Sequence, residues 1–216
     1  NSAGGSNVIG DITFERYVPA VTDGASWLSL GNYVVGATRG DWNTSFGADF
    51  HLVFQWDETH TVDVDEASNG ANAWTIIGSD AATLEDLDFG YAVYTSANSN
   101  PTITASGTYH TSDVLTQSLT LSNGAQQGGG WHVLTNPFPC PIDGGQFITE
   151  NSNFSSYAQY DNGNDNFTTY TAGSPSTIDI GQSFWVQVSS AGAVSFNTSQ
   201  LTNGSNSFIR EVDPLE

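Results

Sequence analysis

The sequence predicts an all-β fold, a jelly-roll-like β-sandwich, and three observations carry that reading. Apolar residues recur at period two, as in Ile12-Thr13-Phe14-Glu15-Arg16-Tyr17-Val18 and Trp185-Val186-Gln187-Val188. Gly, Asn, Asp and Ser crowd the segments between them, where strands turn. No stretch repeats apolar residues at i, i+3, i+4 and i+7 long enough for a helix, and the nearest candidate is a single turn over residues 81–87.

A duplication organises these strands. Trp27-Leu28-Ser29-Leu30-Gly31-Asn32 lies 104 residues before Trp131-His132-Val133-Leu134-Thr135-Asn136, and Gln55-Trp56-Asp57 lies on Gln159-Tyr160-Asp161 at the same offset. The offset then falls to 93, where Trp74-Thr75 matches Phe167-Thr168, Asp86-Leu87 matches Asp179-Ile180, and Tyr91-Ala92-Val93 matches Phe184-Trp185-Val186. Equal spacing across several aromatic landmarks predicts two pseudo-repeats of roughly 90 residues within one domain. Their predicted bounds are 20–100 and 128–195, with bridging strands over 101–127, and the first repeat carries a longer loop over 60–73. A Gly/Ser arm and a strand (1–18) precede them, and a strand-like segment (203–216) follows. Apolar residues of these end segments, Val8, Ile9, Ile12, Phe208 and Ile209, are the candidates for pairing with a neighbouring chain, because an uncovered edge strand is a template for another.

Composition excludes several partners. The 216 residues hold three basic side chains, Arg16, Arg39 and Arg210, against 23 acidic ones, for a net charge of −20. A nucleic-acid partner needs clustered Lys/Arg to displace counterions from phosphates, and an anionic membrane surface needs the same. No apolar run approaches the length of a membrane-spanning helix, so membrane insertion is not expected. The chain contains no Met, even at its start, which reads as a processed, mature form. Acidic character, no Lys and abundant Asn, Ser, Thr and Gly point to a secreted, extracellular protein whose self-repulsion salt would screen.

Motifs for chemistry are scarce. Gly24-Ala25-Ser26-Trp27-Leu28 and Gly181-Gln182-Ser183-Phe184-Trp185 both fail the last position of a nucleophile elbow. Cys140, the single cysteine, lies in Asn136-Pro137-Phe138-Pro139-Cys140-Pro141, where prolines fix an extended backbone, and it reads as a small, partly buried side chain. His51, His60, His110 and His132 form no chelating pair, and alternation points His132 toward solvent. Oxygen-rich loops suit calcium: Asp63 and Asp65 on the long loop, and Asp161 and Asp165 at a hairpin tip, are the candidate ligands. The competing reading of Asp161-Asn162-Gly163-Asn164-Asp165 is a tight turn. No other cofactor and no catalytic residue is expected, and paired carboxylates such as Asp63 and Asp65 are the remaining route to an enzyme.

Exposed aromatic rings would mark a glycan-binding face. Trp27, Trp56, Trp74, Trp131 and Trp185 fall on repeat-equivalent positions and read as core. Trp42, in the polar stretch Gly40-Asp41-Trp42-Asn43, is the candidate sugar platform, joined by Trp74 or Tyr109; its competing reading is a ring tucked over the end of the fold.

The run GGGWHVLTNPFPCPIDGG (128–145), followed by YAQYD (157–161), NFTTYT (166–171) and IDIGQSFWVQV (178–188), resembles a β-sandwich region of large secreted and cell-surface proteins of Bacteroidetes. DITFERYVPA (11–20) and DWNTSFGADFH (41–51) are similar to the strand and loop that open that region, so the resemblance covers nearly the whole chain. Gly144-Gly145 stands where the family tends to place a Trp after Pro-Ile-Asp. The resemblance implies a position upstream of a type IX secretion sorting domain and carries over no catalytic motif. The expected function is therefore a non-enzymatic structural or adhesive module of a bacterial cell surface. Its expected partners are further copies of itself, assembled into an oligomer or filament through the terminal strands. The alternative is a carbohydrate-binding module.

Overall fold

The computed structural model describes residues 12–18, 26–32, 34–47, 50–59, 73–84, 89–95, 102–108, 112–122, 129–161, 166–174 and 176–202. The fold is all-β as predicted, and the strand pairings among these residues are antiparallel. In chain order the first part runs β1 (Ile12–Tyr17), β2 (Ser26–Gly31), helix α1 (Arg39–Phe46), β3 (Phe50–Trp56), β4 (Trp74–Ile76), β5 (Gly90–Thr95) and β6 (Thr102–Gly107). The second runs β7 (Val114–Leu119), β8 (Trp131–Thr135), β9 (Ile142–Asp143), helix α2 (Gly144–Glu150), β10 (Ser156–Asp161), β11 (Asn166–Thr171), β12 (Thr177–Ile178), β13 (Ser183–Gln187) and β14 (Gly192–Asn197).

Two four-stranded sheets dominate, in the orders β2-β5-β3-β4 and β8-β13-β10-β11. Leu30 pairs with Tyr91 in the first, and Leu134 with Phe184 in the second. Val53 pairs with Val93, and Tyr157 with Val186. Each sheet thus has the same strand order and the same register at these landmarks. β1 pairs with β6 and β7 with β14, so residues 101–127 supply one strand to each of two further ribbons.

One face of each sheet is closed by its helix. Leu28, Leu30, Val53, Tyr91 and Val93 pack with Trp42 and Phe46 of α1, together with Leu84 and Ile103. On the second sheet Leu134, Tyr157, Phe184 and Val186 pack with Phe147 and Ile148 of α2, beside Val194 and Phe196. Burying such side chains is the main stabilising term, about 1.5–3 kcal/mol for each large apolar group.

The two helices depart from the sequence expectation. In α1 the Thr38 backbone N–H donates to Asp41 Oδ2 (2.7 Å) and the Asp41 N–H donates to Thr38 Oγ1 (3.3 Å), a reciprocal cap. In α2 the Gln146 N–H donates to Asp143 Oδ1 at 2.9 Å. Elements this short give periodicity almost nothing to repeat. Only Trp42 and Phe46 are buried in α1, one i, i+4 pair. In place of the helical turn expected over 81–87, the Ala82 N–H donates to the Ser79 carbonyl at 2.9 Å and closes a turn ahead of buried Leu84; residues 85–88 lie outside the described ones.

Trp42 is accordingly not a sugar platform. It is 2% exposed and meets Tyr91 edge-on with ring centroids 5.7 Å apart. His132 also departs from expectation. It is buried, and its Nε2–H donates to the Thr120 carbonyl at 2.8 Å. Cys140 is exposed rather than partly buried.

Candidate functional site

Strand alternation decides which side chains leave the two helix-covered cores. Leu28 and Leu30 point into one core, so Trp27, Ser29 and Gly31 of β2 face the opposite way, as do Gly90, Ala92 and Tyr94 of β5. In the second sheet Leu134, Phe184 and Val186 point inward, leaving Trp131, Val133 and Thr135 of β8 and Ser183 and Trp185 of β13 on the other face.

These two faces meet. The Gly31 N–H donates to the Gly181 carbonyl at 2.8 Å, and Ser29 Oγ lies 2.6 Å from Ser183 Oγ. A Cβ on Gly31 would fall inside the Thr135 side chain, and one on Gly90 would run into Ser183 and Val133. Single backbone bridges join Leu30 to Gln182 and Phe89 to Leu134. By the offsets that relate the two sheets, Gly31 corresponds to Thr135, Gly90 to Ser183, and the two bridges to each other. Contacts of this reciprocal kind are those of a two-fold seam.

Beside the seam the faces carry aromatic rings. On one side Trp185 is held edge-on by Trp56 (5.0 Å), Trp74 (5.5 Å) and Trp131 (6.1 Å), and Trp56 Nε1–H donates to the Trp131 carbonyl at 2.7 Å. Next to this cluster the faces are open. There Trp27 lies 5.5 Å from Phe54 and 5.1 Å from Tyr94, Tyr160 lies 5.2 Å from Phe167, and Phe167 stands perpendicular to Trp185 at 6.2 Å. Between them is a cleft of about 460 Å³ lined by Trp27, Leu28, Ser29, Phe54, Trp74, Ala92, Tyr160, Phe167 and Trp185. Trp27 is 42% and Phe167 49% exposed.

Five Trp were expected in the core, and the structure moves them to this seam: Trp27 is exposed and Trp56, Trp74, Trp131 and Trp185 are partly buried. Repeat equivalence signals a shared environment, and here that environment is the face between the sheets. Parity held the missing clue, since Trp27 shares its strand face with Ser29 and Gly31, and a ring among small residues marks a recess. Tyr160 and Phe167 were legible only as counterparts of Trp56 and Trp74.

Among the described residues no charged side chain lines the cleft. Arg16 donates to the Gly181 carbonyl, and Arg39 is paired with Asp80. Among the described lining residues the hydroxyls are those of Ser29 and Tyr160, with no His or carboxylate beside them. The arrangement offers aromatic stacking surfaces, the equipment for holding a ligand.

A buried carboxylate braces the seam from outside the cleft. Glu58, in the turn after β3, accepts from the backbone N–H groups of Ser122 and Gly130 (2.9 Å each) and from the hydroxyls of Thr120 and Ser122. Burial pushes its pKa up, but these hydrogen bonds outweigh it and hold the carboxyl below its ordinary value. At His132 burial dominates and lowers the pKa, against the opposing pull of the Thr120 carbonyl and the Glu58 charge.

The other candidate residues are placed as follows. Asp161 is exposed at the end of β10, opposite Asn166; Asp165, Asp63 and Asp65 lie outside the described residues. Among the described residues no three His, Cys, Asp or Glu side chains gather where a metal ion could be held. Ile12 stands opposite Gly107 in the β1–β6 ribbon, whereas Val8, Ile9, Phe208, Ile209 and Tyr109 lie outside the described residues. Trp74 does line the cleft. Among the described residues no helix is long and apolar enough to cross a membrane. Compared with models of protein families, with curated proteins and with solved structures, the chain finds no match.

Proposed function

We propose that this chain is a non-enzymatic adhesive module of the bacterial cell exterior that holds a neutral saccharide in its aromatic cleft. The observation that carries the reading is the cleft itself, with rings from both sheets around a volume of about 460 Å³. That volume lies in the range of small-molecule sites, about 300–1,000 Å³. A pyranose ring presents C–H groups on its faces, and the negative face of an aromatic ring attracts them. Its hydroxyls remain on the solvent side of an open cleft. A net charge of −20, with no cation among the described lining residues, disfavours uronate or sulfated chains. The acidic, Lys-free composition and the resemblance to Bacteroidetes surface proteins support the extracellular setting.

Affinity electrophoresis tests this reading in gels cast with neutral polysaccharides, a glucan, a xylan and a mannan among them. The protein is expected to be retarded by at least one, and Trp27→Ala and Phe167→Ala to migrate freely with unchanged melting temperatures. Free migration of the unaltered protein in every neutral gel overturns the binding reading. Release of reducing ends from the retained polymer overturns the non-enzymatic one.

A further inference from the structure

We infer, on the basis of the saccharide reading above, that the ligand seats one pyranose ring over Ala92, the position of the first sheet that corresponds to Trp185 in the second. The offset that relates β5 to β13 makes Ala92 the counterpart of Trp185. Strand pairing agrees: Trp185 sits across from Ala158 and Val133, and Ala92 across from Phe54 and Ser29, the corresponding positions. Trp185 reaches across the seam into a three-sided holder made by Trp56, Trp74 and Trp131, at 5.0, 5.5 and 6.1 Å. The counterparts of those three are Tyr160, Phe167 and Trp27, and all three line the cleft together with Ala92.

Counterpart rings thus surround Trp185 in one place and border the cleft above Ala92 in the other. Where the indole is replaced by a methyl group, the Phe54 ring meets Trp27 at 5.5 Å, and an open cleft of about 460 Å³ remains beside Ala92, Tyr160 and Phe167. A pyranose there presents its C–H groups to the rings of Trp27, Tyr160 and Phe167. It also touches both sheets at once: Trp27 and Ala92 belong to the first, Tyr160 and Phe167 to the second. Phe54 stands where the second sheet has Ala158, borders the space and narrows it, which favours one ring over a stacked pair.

The test fills the seat from within. Ala92→Leu and Ala92→Trp are compared with the unaltered protein and Trp27→Ala by titration calorimetry against whichever neutral oligosaccharide the gels select. Affinity is expected to fall in the order Ala, Leu, Trp, by about tenfold or more for Trp, with folding monitored by thermal melting. Ala92→Leu keeps the test informative should Ala92→Trp fail to fold beside Phe54. If Trp27→Ala abolishes binding while folded Ala92→Leu and Ala92→Trp bind like the unaltered protein, the cleft reading stands and the Ala92 seat is wrong. If Trp27→Ala binds normally, the cleft reading itself falls, and the seat with it.

Discussion

Gly31 and Thr135 occupy corresponding positions in the two sheets and touch each other across the seam. The space a Cβ would need on Gly31 is already taken by the Thr135 side chain. A residue meeting its own counterpart lies on the axis of a two-fold arrangement, so this contact sets how closely the two sheets approach. The depth of the cleft beside it follows from that approach.

Gly31→Ala should accordingly destabilise the protein by about 1–3 kcal/mol, the cost of overpacking a tight contact. Urea denaturation reads this as a lower midpoint. Thr135→Gly in the same chain should recover part of the loss, because the two positions compete for one volume. An unchanged midpoint for Gly31→Ala would mean that the sheets do not meet here.

Trp42→Ala should cost about 3–5 kcal/mol, as large-to-small changes of buried aromatic residues do. Trp42 is 2% exposed under α1 and braced by Tyr91. The folded fraction of the variant should bind saccharide normally. Loss of binding with unchanged stability would return Trp42 to the role that its polar sequence neighbourhood suggested.

The contrast between Trp42 and Trp27 shows what the sequence could tell. Strands were legible from alternation, since Leu28, Leu30, Tyr91 and Val93 share the parity that a half-buried sheet requires. The counterpart relation of Trp27 and Trp131 was legible from spacing alone. The meaning of that relation was not, because two face types repeat in the two sheets, and spacing does not say which is core. Of the two readings of Trp42 the tucked ring is the one found, and sequence leaves the choice open because a capped eight-residue helix buries only two residues and gives no period to read. Glu58 and its three partner residues, Thr120, Ser122 and Gly130, are scattered from residue 58 to residue 130, a constellation no local pattern announces.

Acid should loosen the seam in two stages with the same sign. His132 has a folded pKa below its ordinary 6.5, so its contribution is complete above that value and is lost as pH falls through it toward the folded pKa. Glu58 has a folded pKa below its ordinary 4.5, so its contribution is complete above 4.5 and is lost as pH falls through the depressed value. Urea midpoints measured from neutrality into strong acid should fall in both windows. Glu58→Gln should lower stability at neutral pH and flatten the lower window, and a variant that keeps the full acid dependence would show that Glu58 is not its source.

The most direct test of the saccharide cleft uses its own tryptophans. Trp27, Trp74 and Trp185 line it, so a sugar seated there changes their solvent exposure. Titration with a neutral oligosaccharide should produce a saturable shift of intrinsic fluorescence that Trp27→Ala loses and Trp42→Ala retains. A saturable shift of equal affinity in Trp27→Ala, or none in the unaltered protein with any neutral saccharide, would contradict the account.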